Sequence, residues 1–227
     1  MNKLLSSLLA LVAAAGFAVP AAAQGVKPGD RHAGEMKVQV CIGCHNLPGY
    51  QSSFPEIYKV PKIAGQSAPY IVSALTAYRK GDRKHPTMRS NAGSLTDQDM
   101  ADVAAFYADL GKTDGKLPAT AAVQPSADVA KLLAQGNCAS CHGTNFSTPI
   151  DPSYPKLAGQ HADYLYVALK AYQTANNPHV GRNNAIMMGM ARPYTHSELK
   201  MLSSYFASLP GDLKTVQESR FRGGSQF

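Results

Sequence analysis

Cysteine occurs four times in the 227 residues, and all four sit in two boxes, Cys41-Ile42-Gly43-Cys44-His45 and Cys138-Ala139-Ser140-Cys141-His142. On a helical turn, thiols at positions i and i+3 point the same way. Dithiol redox chemistry also uses Cys-x-x-Cys, but it needs an alternating strand and helix pattern that this chain lacks. Structural zinc would draw both pairs to one ion, whereas these pairs lie in separate halves. Two disulfides would each close a very short loop and leave both histidines idle. Covalent haem c uses every residue: the thiols form thioethers with two vinyl groups, and the histidine becomes the proximal iron ligand. The expected cofactors are two covalently bound haem c groups, on Cys41, Cys44 and His45 and on Cys138, Cys141 and His142.

The second axial ligand sets what such an iron can do. Met88 lies seven residues before Leu95, in a polar, Pro-containing stretch read as a loop. Met187 holds the same spacing to Tyr194, so register favours it over Met188 and Met190. A methionine is usually a flexible core filler, and Met36, Met100 and Met201, on predicted helices, are assigned that role. His85 and His179 are rival ligands, but they do not occupy equivalent positions. His32, His161 and His196 read as surface residues.

Outward from the boxes, the chain reads as two copies of one unit. Lys62-Ile63-Ala64-Gly65-Gln66 matches Lys156-Leu157-Ala158-Gly159-Gln160, and Tyr70, Leu75 and Tyr78 match Tyr164, Leu169 and Tyr172. Each unit predicts three helices. The first, near 31–44 and 126–141, carries the box, and the second covers 67–80 and 161–174. The third starts at Thr96 or Thr195, each followed three residues on by an acid as in a capping box. The predicted divisions are a signal peptide at 1–23, domains at 24–111 and 127–210, a linker at 112–126 and a solvated tail at 211–227. The leader combines Lys3, an apolar run too short to span a bilayer and a small-residue cleavage site, and it predicts export. Units this small have little core of their own, and a haem would supply it.

The order of haem box, Pro-Lys-(Ile/Leu)-Ala-Gly-Gln, tyrosine helix, methionine stretch and "LTDQDMADVAAFYA" helix, repeated in tandem, resembles the cytochrome c4 family. The resemblance covers nearly all of the chain after the leader. It implies an all-α fold of two class I cytochrome c domains related by a pseudo-twofold axis, with haems close enough to exchange electrons. It implies a periplasmic, sometimes membrane-associated, electron carrier that supplies acceptors such as terminal oxidases. Asn46, where many members have glycine, and the methionine-rich "AIMMGMARP" stretch depart from the family pattern. Pro61 and Pro155 are the family-like carbonyls for the haem histidines, with loop stiffening as the plainer alternative. Arg83 and Arg182 hold the same offset before the two methionines and are candidates for the haem propionates. A solvated basic loop with Lys80 and Lys84 is the alternative.

Net charge is +7, one unit of it from Lys3 of the leader, and the basic residues are spread rather than clustered. That spread and the exported location exclude nucleic acid and fit a modest positive rim that steers encounters with redox proteins. Expected partners are a donor and an acceptor, such as a membrane-bound oxidase or a quinol-oxidising complex. With His45 and Met88 on one iron and His142 and Met187 on the other, no position stays open for substrate, so an enzyme is not expected. The alternatives are a cytochrome subunit of a dehydrogenase complex and a di-haem peroxidase. A thiosulfate dehydrogenase would want a third cysteine in one unit.

Overall fold

The computed structural model describes residues 25–112 and 115–217; the predicted leader lies outside them. Helix α1 (Arg31–Lys37) starts where the Asp30 carboxylate accepts from the His32 and Ala33 amides. The chain kinks at Val38 and runs on as α2 (Gln39–His45) through the first box. Helix α3 (Ala68–Lys80) has proline in its first turn and ends at left-handed Gly81. A short helix α4 (Pro86–Gly93) precedes α5 (Asp97–Leu110), which opens with the predicted Thr96/Asp99 capping box.

The second unit repeats this order: α6 (Ala127–Gln135), α7 (Cys138–His142), α8 (Ala162–Gln173), α9 (Ala185–Ala191) and α10 (His196–Ser208), the last with its Thr195/Glu198 capping box. Each unit has its own apolar cluster. The first holds Val38, Ile42, Ile71, Leu75, Met100, Val103, Phe106 and Tyr107. The second holds Val129, Leu132, Phe146, Leu165, Leu199, Leu202, Tyr205 and Phe206.

Helices α1 and α5 cross with their backbones touching. A Cβ on Gly34 would lie 2.1 Å from the Asp102 carbonyl oxygen, so only glycine fits there. The second unit approaches its box differently. Its first helix stops at Gly136, Asn137 adopts a left-handed conformation, and the Tyr194 hydroxyl donates at 2.8 Å to the Leu132 carbonyl, which also accepts from the Gly136 amide at 3.1 Å.

Among the described residues, strand content is two two-residue pairs and the isolated bridge Ala64–Lys214, which the helical reading did not anticipate. β1 (Gln51–Ser52) pairs with β2 (Tyr58–Lys59) inside the first unit. β3 (Arg83–Lys84) pairs with β4 (Gly181–Arg182) across the two units, with Arg83 opposite Arg182.

Three expectations need correction. The segment after Pro210 is not a solvated tail in its described part, 211–217. Leu213 is buried, the Lys214 amide donates to the Ala64 carbonyl of the first unit, and Val216 packs on the first core. The reason is apolar spacing: Leu213 and Val216 lie three apart in an otherwise polar stretch. Met36 is 78% exposed and fills no core, because α1 turns Gly34 and Val38 inward instead. His161 is half-buried at the start of α8, while His32 and His196 are exposed as expected.

Candidate functional site

Both boxes lie on helical turns, as the spacing requires, and none of the four thiols is joined to another. All four are half-buried. Burial, with a smaller contribution from Cys44, pushes the Cys41 thiol of the bare polypeptide up to about 11. Burial also raises Cys138. A dithiol redox centre needs a lowered thiol, so this environment speaks against one and suits alkylated sulfur.

Each box histidine is held by one nitrogen. His45 Nδ1 donates to the Pro61 carbonyl at 2.9 Å, and His142 Nδ1 donates to the Pro155 carbonyl at 3.0 Å. This tautomer leaves Nε2 as the free lone pair on both rings. Burial pulls both imidazoles below their ordinary range, against the raising effect of the two carbonyls. Neutral rings with free Nε2 atoms are what iron ligation demands.

The box is followed by different loops in the two units. Gly143 takes φ +80°, and a Cβ there would meet the Thr148 carbonyl at 2.0 Å. Asn46 takes φ −104°, so a side chain is tolerated, and its buried carbonyl accepts from the Tyr107 hydroxyl at 3.0 Å. The departure from glycine after His45 is therefore a local rearrangement.

Met88 does not lie in a loop, as its polar surroundings suggested. It is the third residue of α4, and the His85 ring accepts from its amide at 3.3 Å as the helix N-cap. Pro86 in the first turn, which reads as a loop signal, here starts a helix. Met187 is likewise the third residue of α9, and the Asn184 side chain accepts from its amide at 3.0 Å. Met88 and Met187 therefore share one local frame, with His85 matched to Asn184 rather than to His179. Met88 packs on the first core, and Met187 and Met188 are half-buried, whereas Met190 is 44% exposed. His179 is exposed.

Arg83 and Arg182 meet at the boundary between the units. The Arg83 guanidinium lies over the Tyr70 and Tyr78 rings and donates to the Tyr70 hydroxyl at 3.2 Å. Arg182 lies over Tyr164 and Tyr172 and donates to the Tyr164 hydroxyl at 3.1 Å. Among the described residues neither has a carboxylate within ion-pair distance. Burial raises the Tyr70 and Tyr78 hydroxyls. Burial acts the same way on Tyr164, but Arg182 and Arg83 outweigh it and hold that hydroxyl below the ordinary range. Two adjacent guanidiniums without a carboxylate form a site that calls for an anion. Haem propionates are such anions, so the residues present fit the cofactor. Lys84, expected in a solvated basic loop, reaches across to the Asn177 carbonyl at 2.7 Å.

The sequence marks Gln66 and Gln160 as repeated without saying what they do. Both are buried. Gln160 Oε1 accepts from the Lys62 amide at 2.9 Å, and its Nε2 donates to the Lys62 carbonyl at 2.8 Å. Gln66 does the same to Lys156, at 3.1 Å in both directions. Lys62 Nζ donates to the Gly159 carbonyl at 2.6 Å, and Lys156 Nζ to the Gly65 carbonyl at 2.9 Å. The repeated motif thus pairs with its own copy. The ion pairs Lys59–Asp163 and Lys170–Glu56 add to this boundary.

A family model described as cytochrome c matches residues 27–110 and again 126–210. Cytochrome c4 of Stutzerimonas stutzeri is 33% identical over 221 residues, covering 92% of this chain and all of that protein. The thiosulfate dehydrogenase electron acceptor of Stutzerimonas stutzeri strain A1501 is 30% identical over 210 residues, 86% of this chain and 90% of its own. The crystal structure of reduced recombinant cytochrome c4 from Pseudomonas stutzeri superposes with a TM-score of 0.57 at 28% identity, covering 80% of this chain and 100% of that one. Two matched copies, each with one Cys-x-x-Cys-His box, and similarity along the full length to cytochrome c4 make this chain a member of the cytochrome c family, a tandem cytochrome of the c4 type with two covalently bound haem c groups.

Proposed function

We propose that the chain carries single electrons in the periplasm between a respiratory donor and an acceptor such as a terminal oxidase, with His45 and Met88 on one iron and His142 and Met187 on the other. The observation that carries this reading is the common frame of Met88 and Met187. Each is the third residue of a short helix whose N-cap side chain holds its amide. Bound haem supplies a one-electron Fe(III)/Fe(II) couple. The chain's own residues do the rest. Pro61 and Pro155 orient the histidines, the Met88 and Met187 sulfurs would be the second protein ligands of the two irons, and Arg83 and Arg182 would neutralise propionates. With histidine and methionine both holding each iron, no position would be open to substrate, and the haems would transfer electrons without catalysing a reaction. Thioether ligation favours the ferrous state and raises both potentials.

The periplasmic location rests on the predicted leader. No described helix is long and apolar enough to cross a membrane, and peripheral association is compatible with that. Likeness to a thiosulfate dehydrogenase electron acceptor supports a second reading, service to one dedicated dehydrogenase. Mass spectrometry and redox titration of the purified holoprotein test the proposal. The expected result is the polypeptide plus two haems, neither extracted by acid–acetone, with two one-electron steps. An intact Cys41–Cys44 or Cys138–Cys141 disulfide would sink it. Co-purification from native membranes distinguishes an oxidase from a dehydrogenase as the tightest partner.

A further inference from the structure

The Pro61–Lys62 peptide group faces two ways. Its carbonyl accepts from His45 Nδ1 at 2.9 Å, and its N–H donates to Oε1 of Gln160, in the other unit, at 2.9 Å. The Pro155–Lys156 peptide repeats this, with its carbonyl on His142 at 3.0 Å and its N–H on Oε1 of Gln66 at 3.1 Å. One peptide plane therefore separates each haem histidine from a buried glutamine of the opposite unit.

We propose that Gln160 is a positioning residue for the first haem and Gln66 for the second, each acting across the domain boundary through the peptide that holds the histidine. The inference rests on the axial role of the two histidines given above.

Two physical effects run in the same direction. The glutamine amide grips both the N–H and the carbonyl of the lysine, so it fixes the plane and hence the aim of the proline carbonyl. Accepting from the lysine N–H also polarises that peptide, and hydrogen bonds in a chain strengthen one another. A stronger, better-aimed carbonyl makes the imidazole more basic, which favours ferric iron. Loss of the glutamine should therefore raise the potential of the haem in the other domain. Its own domain's histidine hangs on the other peptide and should be unaffected.

The test is a potentiometric titration of holoprotein variants, with each midpoint assigned by the paramagnetic NMR shifts of its haem methyl groups. Gln160→Leu should raise the ferrous-to-ferric ratio of the first haem about threefold at fixed potential. That is about 28 mV at 59 mV per tenfold for one electron. The second haem should stay within error. Gln66→Leu should do the converse. Gln160→Met keeps the side-chain length without either hydrogen bond to Lys62; it should give a shift of the same sign and serves if the leucine variant does not mature. Ser67→Ala, which removes the contact of the Ser67 hydroxyl with the Pro152 carbonyl elsewhere on the boundary and changes no charge, controls for loosened docking and should move neither midpoint.

Crossed shifts support the proposal. Equal shifts of both haems, a shift confined to the mutated domain, or none would overturn it. Haem stoichiometry is measured alongside: a wild type with fewer than two covalent haems would instead undo the cofactor reading itself.

Discussion

Arg83 lies directly opposite Arg182 across the antiparallel bridge that joins the two units, each guanidinium stacked on two tyrosines of its own unit. Like charges opposed in a bridge repel, so negative charge nearby would relieve this arrangement. If propionates supply it, Arg182→Gln should lower at least one midpoint potential, because a nearby cation disfavours the ferric state. The expected change is about fivefold in the ferric-to-ferrous ratio at fixed potential, about 1 kcal/mol. Spectroelectrochemistry at low and high salt checks it. Unchanged midpoints would mean that the arginines serve the domain boundary alone.

For the second iron, Met187→Ala should remove half of the far-red charge-transfer absorption of methionine-ligated ferric haem. It should also lower one midpoint and open one iron to carbon monoxide. Met188→Ala and Met190→Ala should retain the full band. Loss of the band in Met188→Ala instead would place the ligand one residue on, out of frame with Met88.

Lys37 bridges Asp99 at 2.7 Å and Asp102 at 2.6 Å, tying α1 to α5. The hydrogen bond from Lys37, helped by Thr96, holds the Asp99 carboxyl down at about 2. Burial would raise Asp102, but the Asp30 amide, Lys37 and Gln98 outweigh it and hold it low as well. A depressed carboxyl contributes stability above its unfolded pKa of about 4 and loses it as pH falls through the folded value. Thermal melts should therefore show the midpoint dropping between about pH 4 and pH 2. Lys37→Met should be less stable at pH 7 by about 1 kcal/mol, since solvent screens a lysine that is only half-buried, and should show a shallower acid limb. An acid limb as steep as the wild type's would show that other groups set it.

Leu213 is 4% exposed and sits one residue before the Lys214–Ala64 bridge. Leu213→Ala should cost about 2 kcal/mol. Truncation after Pro210 should loosen the first unit, although the segment comes after the second in the chain. Hydrogen exchange at Gly65 and Gln66 is the direct measurement. Unchanged protection there would leave the segment without a role in the first unit.

The parts of this molecule that repeat were readable because repetition is itself a signal. The boxes, the capping boxes at Thr96 and Thr195 and the register of Met88 with Met187 all depend on local spacing. Helices α4 and α9 were missed because Pro86 and Asn184 resemble loop residues, and whether such residues open a helix is decided by the turn that comes after them. The Gln–Lys pairing was hidden because it joins residues about ninety positions apart. No local pattern states which backbone a buried glutamine will meet. The cross-unit Arg83–Arg182 bridge failed to appear for the same reason, and two-residue strands carry no alternation to detect.

The reciprocal grip of Gln66 on Lys156 and Gln160 on Lys62 has the form of an isologous contact, in which one patch is complementary to its own copy. Such a patch on a one-haem protein would make a symmetric dimer, formed only as concentration allowed. Joined in one chain, the two copies meet at the effective concentration the connecting segment imposes, of order millimolar for a short flexible tether. The tandem is a homodimer made permanent: its two halves stay in register at any dilution, while each remains free to diverge in sequence on the surface it does not share.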